Sequence, residues 1–355
     1  MTLQRLIRIT SIALIAVVAF GGIADAKHKK RKHQKPKPAA AARVWYGSAA
    51  TLVLRTGVLP GVTPANFAPD TQLDGPTLQA LVGVAFPKTA KRVRVIEPGQ
   101  PVTMGDVDAA FVIAAGLNDT AIRAEQLIEA AGYDARPGVG YEIVARLLRL
   151  RTNLEQADDL KEHAWYEQAS QADAVWSAGQ ALQWGGWESQ VAIDTVELLA
   201  QVPPTTRLQH DAIQRAFDFI GMPYIWGGTS ERPQVLFGAP TAGGFDCSGF
   251  LWRVLALDAT SPKGVLAAFG GRTTFEMART AKPAQRLSRE AIIPADIMLF
   301  GPGGLQASSG SIGHSGMAIS PQLFIQSSGQ GIALARWDTG YYKDRLAFGK
   351  RVLLP

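Results

Sequence analysis

Phe245-Asp246-Cys247-Ser248-Gly249-Phe250 runs without a break into Leu251-Trp252-Arg253-Val254-Leu255. The apolar residues of the second segment predict a helix that opens at the cysteine. A helix N-terminus offers unpaired N–H groups and positive potential, and both favour a thiolate. The same N–H groups suit the oxyanion of a tetrahedral intermediate. Gly249 allows another segment to approach the helix closely. Cys247 is the only cysteine of the chain, so it forms no internal bridge. A buried structural cysteine is the plainer reading of a lone thiol. Asp246 and Ser248 on either side argue against full apolar burial.

A cysteine nucleophile needs a base, usually histidine, and the chain has five. His28 and His33 fall in a low-complexity segment. His163 lies beside Lys161 and Glu162, in what reads as a charged helix. His210 starts a helix. His314 stands in Ile312-Gly313-His314-Ser315-Gly316-Met317-Ala318-Ile319, between glycines at the start of an apolar strand, and is the candidate base. A base needs a partner on its other nitrogen. Gln326 ends the next strand-like segment, Leu323–Gln326. If the two strands pair antiparallel through Ser320-Pro321, His314 and Gln326 fall at the same end of the hairpin. A neutral amide can then hold the imidazole tautomer.

Around this core, Leu208–Ile220 reads as an amphipathic helix with Ile213, Ala216, Phe217 and Ile220 on one face. Strands are predicted at Ile297–Phe300, Ser315–Ile319, Gln322–Gln326 and Gly331–Ala335. A helix followed by strands, without βαβ alternation, indicates an α+β fold. No histidine pair at ligand spacing accompanies the single cysteine, so no metal site is expected, and no cofactor. Gly301-Pro302-Gly303-Gly304 lacks the Lys-Ser/Thr of a phosphate loop.

Five segments, in this order and spacing, resemble the NlpC/P60 family of papain-like cell-wall peptidases. They are Gly221–Gly228 (Gly-Met-Pro-Tyr-Ile-Trp-Gly-Gly), Phe245–Phe250, Pro294–Phe300 (Pro-Ala-Asp-Ile-Met-Leu-Phe), Gly313–Gly316 and Phe324–Ser328. The resemblance covers about 145 residues, roughly 40% of the chain. It implies a papain-like α+β domain with the nucleophile helix packed on an antiparallel sheet. It also implies a Cys247 nucleophile, a His314 base and Gln326 as third polar member. Tyr224 resembles the tyrosine beside the family nucleophile. Asp246 and Ser248 resemble the residues that contact the free amine of the substrate peptide, and Trp226 is expected to pack under its loop. The implied reaction is cleavage of the γ-D-glutamyl–diamino acid bond in peptidoglycan stem peptides. The sequence departs from the family in three places. Gln326 stands where histidine is more frequent, Ala295 stands where glycine is usual, and 230–244 and 301–312 are long Gly/Pro/Ser-rich loops.

The 355 residues suggest more than one domain. Residues 1–26 read as a signal peptide, with Arg5 and Arg8, an apolar run Ile9–Ile23, and Ala24-Asp25-Ala26. An uncleaved anchor is the alternative, although the run is short for a span. Residues 27–43 form a basic Pro/Ala-rich linker with eight Lys or Arg and no acid. The linker is either solvated or laid on an anionic wall polymer or membrane surface. Residues 44–355 carry a net charge of −3, which argues against a nucleic-acid-binding body.

Residues 44–203 read as a mostly helical domain, wall-binding or regulatory. Helices are predicted near Thr103–Leu117, Thr120–Ala131, Tyr141–Leu150 and Leu154–Leu182. Val102-Thr103-Met104-Gly105-Asp106 resembles a surface-layer-homology repeat, which would imply binding to wall polymers; an ordinary helical domain reads equally well. Trp165, Trp176, Trp184 and Trp187 are expected to fill a core rather than stack on sugars. Pro203-Pro204 marks the boundary to the catalytic domain, 204–355. A secreted, wall or periplasmic hydrolase is the expectation. Its rivals are an N-acetylmuramoyl-L-alanine amidase of Cys-His type and a non-catalytic wall-binding protein.

Overall fold

The computed structural model describes residues 45–94, 96–257 and 264–353. The expected signal segment and basic linker lie outside the described residues. The first half is helical: α1 (Gly47–Leu54), α2 (Gly75–Ala85), α3 (Met104–Ala114), α4 (Asn118–Ala130), α5 (Val139–Leu147), α6 (Gln171–Ala181) and α7 (Glu188–Glu197). Several starts are written locally. Asp74, Thr103 and Ser170 cap α2, α3 and α6, each accepting from the backbone N–H three residues on. Thr103 with Asp106 and Ser170 with Asp173 complete capping boxes.

The helix expected over Leu154–Leu182 is broken. A 3-10 turn covers Gln156–Lys161, and α6 begins only after the Ser170 cap. The backbone between them is spent on other partners. Gln168 bridges Thr103, Ser170 bridges Gln72, and the His163 carbonyl accepts from Arg151 Nη2 at 2.6 Å. His163 is therefore not helical, and its Nδ1 lies 3.0 Å from Asp173 Oδ2. Three of the four clustered tryptophans pack. Trp165 lies under the Arg136 guanidinium, Trp176 near Trp45 and Trp184 near Phe86. Trp187 is exposed.

The second half opens with α8 (Arg207–Asp218), capped by Thr206. Short strands β1 (Thr229–Ser230), β2 (Gln234–Leu236), β3 (Ala239–Thr241) and β4 (Gly244–Phe245) lead to α9 (Cys247–Leu255). The loop expected over 230–244 therefore contains the β2–β3 hairpin. Then come α10 (Val265–Phe269), α11 (Thr274–Thr280), β5 (Ile297–Phe300), β6 (His314–Ala318), β7 (Leu323–Ser328), β8 (Gly331–Arg336), α12 (Gly340–Arg345) and β9 (Leu346–Lys350). The last five strands form one antiparallel sheet in the order β8-β7-β6-β5-β9. Strand β9 carried no prediction.

Strand side chains alternate between two cores. Ile297, Leu299, Met317 and Ile325 face the main core, on the side of α9. Met298, Phe300, Ala318 and Phe324 face a second cluster with Trp337 and Tyr342. Both faces being covered, β5 reads as an unbroken apolar run. The helical first half and the antiparallel sheet together make an α+β chain. The two halves share the main core. Tyr133 after α4 stacks on His210 at 4.5 Å and meets Phe217 edge-on at 5.3 Å. Ala295, the residue in place of glycine, adopts φ 66°, the left-handed region that glycine enters more cheaply.

Candidate active site

Cys247 is the first residue of α9, and Asp246 is its N-cap. Asp246 Oδ1 accepts from the Gly249 N–H at 2.6 Å and from Ser248 Oγ at 2.9 Å. Its Oδ2 accepts from the Gly227 N–H at 3.0 Å, which ties the Tyr224–Gly228 loop to the start of α9. Gly249 is needed at this crossing. A Cβ there would stand 1.9 Å from the Gly228 carbonyl oxygen and 2.6 Å from Arg272 Nη2. Tyr224 pairs with Phe245 in a parallel bridge. Burial, with the charges of Cys247 and Asp246, drives the Tyr224 hydroxyl pKa far up, so it stays a proton donor.

Helix α9 packs across β6 and β7. His314 begins β6, opposite Phe300 of β5. Gln326 lies in β7, opposite Ala333 of β8 and 3% exposed. His314 Nε2 and Gln326 Oε1 share a very short hydrogen bond. An amide oxygen accepts only, so the imidazole carries its proton on Nε2 and keeps a lone pair on Nδ1. Burial pushes the His314 pKa down to about 4, against the opposing hydrogen bond from Gln326. The imidazole is thus neutral over the ordinary pH range.

The thiol behaves differently from the expectation. Burial first, and the Asp246 charge second, push Cys247 up to about 11, while Ser315 and the Ser248 backbone pull the other way. The helix N-terminus alone predicted a lowered value; desolvation and an adjacent carboxylate outweigh it. With its pKa raised the thiol favours its neutral form, and with its pKa lowered so does the imidazole.

Arg272, three residues beyond the end of α10, escaped the sequence reading. Its Nη1 donates to Asp246 Oδ1 at 3.0 Å and to Ser248 Oγ at 2.7 Å. Its Nη2 donates to Asp246 Oδ2 and to the Gly227 and Gly228 carbonyls, each at 3.0 Å. The Asp246–Ser248 pair is thus already engaged by a cation from the chain itself. Its only sequence signal is its place in Gly270-Gly271-Arg272-Thr273, just before the Thr273 cap of α11. Trp226 does not pack under its loop; it is 58% exposed. The backbone around it turns outward because Gly227 and Gly228 spend their polar groups on Asp246 and Arg272. His210 takes no part, since its Nε2 meets the Gly132 carbonyl at 2.9 Å. Among the described residues no cluster of three or more His, Cys, Asp or Glu could hold a metal ion, and no helix is long and apolar enough to cross a membrane.

The NlpC/P60 family pattern matches residues 221–351. The chain is 28% identical over 132 residues to the probable peptidoglycan endopeptidase LytE of Bacillus subtilis, covering 37% of this chain and 31% of that one. It is 27% identical over 158 residues to the murein DD-endopeptidase MepH of Escherichia coli, covering 44% of this chain and 49% of that one. It therefore spans half or less of the length of these curated relatives. Among solved structures, an NlpC/P60 family protein from Bacillus cereus matches at 22% identity and TM-score 0.32, over 43% of this chain and 42% of that one. The P60 domain of a M. avium subspecies paratuberculosis antigen matches at 18% identity and TM-score 0.32, over 42% of this chain and 97% of that one. Sequence motif, family match and relatives converge on one assignment: residues 221–351 are a domain of the NlpC/P60 family.

Proposed function

We propose that this protein is a secreted peptidoglycan hydrolase, a cysteine endopeptidase that cuts stem peptides at the γ-D-glutamyl–diamino acid bond. The observation that carries the reading is the placement of Cys247 at a capped helix start, packed on the strands that pair His314 with Gln326. Both curated relatives are named as endopeptidases of peptidoglycan or murein, and that substrate is carried over here. Residues 44–203 would then place the enzyme on the wall or regulate it.

In this mechanism the Cys247 sulfur attacks the peptide carbonyl carbon while its proton passes to His314 Nδ1. The α9 N–H groups and the Tyr224 hydroxyl receive the oxyanion. As the tetrahedral intermediate collapses, the C–N bond breaks and the imidazolium gives its proton to the departing amine. Water, deprotonated by His314, then attacks the thioester and frees the acid and the thiol. A substrate amine arriving at Asp246 and Ser248 meets an Asp–Arg ion pair rather than a bare carboxylate.

Digestion of purified peptidoglycan by the protein and by Cys247→Ala, with products identified by mass spectrometry, tests the reading. Fragments cut after D-Glu, absent with the variant, are the expected result. Free stems beginning at L-Ala would make the protein an amidase. Products opened at the D,D cross-link would place it with the relative named for that bond. The absence of any cysteine-dependent product would leave a wall-binding protein.

A further inference from the structure

We infer that Ser315 is a further catalytic residue, whose buried hydroxyl donates a hydrogen bond to the Cys247 sulfur as that sulfur becomes charged. This inference rests on the reading of Cys247 as the nucleophile. Burial and the Asp246 carboxylate both disfavour a negative sulfur. A donor beside the sulfur offsets them, and Ser315 is placed to be one.

Ser315 is the second residue of β6 and pairs with Leu299 of β5. Side chains two apart in a strand share a face, so Ser315 points with Met317 toward the main core, on the side of α9. The pairing of β6 with β7 runs through Ala318–Phe324 and Met317–Ile325 and stops short of Ser315. The chain entering α9 is fastened at this opening. The Ser327 hydroxyl of β7 donates to the Phe245 carbonyl at 2.6 Å, two residues before Cys247.

Ser315 is 0% exposed, and its Oγ has no oxygen or nitrogen partner among the described residues. Buried hydroxyls are rarely left so, because each has lost its water without a replacement. The hydroxyl and the backbone N–H of Ser315 both act on Cys247, and both favour the charged sulfur. Toward a neutral thiol, which is itself a weak donor and a weak acceptor, a hydroxyl is not directed. Toward a thiolate, which only accepts, it can only donate. The unmet hydroxyl is therefore a donor fixed in advance by its strand, and it needs no rearrangement when the charge appears.

Cys247 is the only thiol of the chain and is partly exposed, so its alkylation by iodoacetamide reads the thiolate without interference. In the intact protein, Ser315→Ala should slow alkylation about three- to tenfold near neutral pH and move the profile to higher pH. The sign follows from the donor, since losing a hydrogen bond to the charged form raises a thiol pKa. Urea unfolding should change little, because the hydroxyl removed had no oxygen or nitrogen partner in the resting protein. On peptidoglycan, kcat should fall about tenfold with KM little changed. In a His314→Ala background the same substitution should slow alkylation by a similar factor, because the hydroxyl acts on the sulfur and not through the imidazole. An unchanged alkylation profile, a slowing that vanishes without His314, or a slowing matched by a marked fall in the urea midpoint would overturn the proposal. If no preparation cleaves peptidoglycan, the enzymatic reading falls, while the alkylation profiles still decide whether Ser315 serves the sulfur.

Discussion

Removing the Arg272 guanidinium while keeping the bulk of its stem, as in Arg272→Met, tests whether this cation holds α9 to the Tyr224 loop. The magnitude follows from the contacts. Losing one partner of a fully buried ion pair costs about 3–5 kcal/mol, because the other charge is left uncompensated. Here the Arg272 side chain is 22% exposed and that of Asp246 14%, so water takes part of the load. Asp246 also keeps three donors, the N–H groups of Gly249 and Gly227 and the Ser248 hydroxyl. About 2 kcal/mol remains for the ion pair after that discount. The freed Gly227 and Gly228 carbonyls add roughly 0.5–1 kcal/mol. The assay is urea unfolding followed by tryptophan fluorescence, on the single variants and on Arg272→Met combined with Asp246→Asn. With the anion gone, Arg272→Met should cost only about 1 kcal/mol, a coupling of about 1–2 kcal/mol. A cost below about 1 kcal/mol in the wild-type background, or an undiminished cost in the Asp246→Asn background, would refute the reasoning.

Gly249→Ala places a methyl carbon against the Gly228 carbonyl and forces α9 and the Tyr224 loop apart. Unfolding should show a loss of about 1–3 kcal/mol, and the thiol should be displaced enough to lower kcat/KM by at least about tenfold. Another prediction concerns the helical half. Burial, with the neighbouring Glu142 charge, raises the Asp108 pKa to about 8, and burial raises Glu162 to about 8. Both carboxyls thus hold protons in the folded state that the unfolded chain releases near its ordinary values of 3.8 and 4.5. Their contribution to stability is complete below about pH 4 and is lost as the pH rises to about 8. The urea midpoint should fall across that window. Asp108→Asn should remove part of the slope and Glu162→Gln the rest, and a flat profile in the wild type would contradict this.

Much of the local structure around the candidate site was legible in the sequence. The helix at Cys247 is announced by an acidic cap and an apolar run, and β5 to β8 by short apolar segments between glycines and prolines. These are local signals, because capping and side-chain alternation act over only a few residues. The antiparallel register that joins His314 to Gln326 was also readable, since they are 12 residues apart across a tight turn. Where local pattern ran out, the reading went wrong. The apolar and charged residues over Leu154–Leu182 carry helical spacing, yet the segment spends its backbone on strand-like bridges to Gln72 and Thr103.

The remaining features belong to the tertiary structure alone. Arg272 meets Asp246 across 26 positions, and Tyr342 meets Gln326 across 16. Each lies in or beside an irregular connection, where no periodicity marks a residue's partner. The exposure of Trp226 depends on which way its loop turns, and that is set by Gly227 and Gly228 bonding to groups from other elements. The raised thiol and lowered imidazole likewise come from what the fold excludes. The sequence by itself determined which residues are candidates for the chemistry, because thiol, imidazole and amide stand in short motifs. The tertiary structure decided how they are charged and oriented, because desolvation and long-range hydrogen bonds exist only once the chain has closed around them.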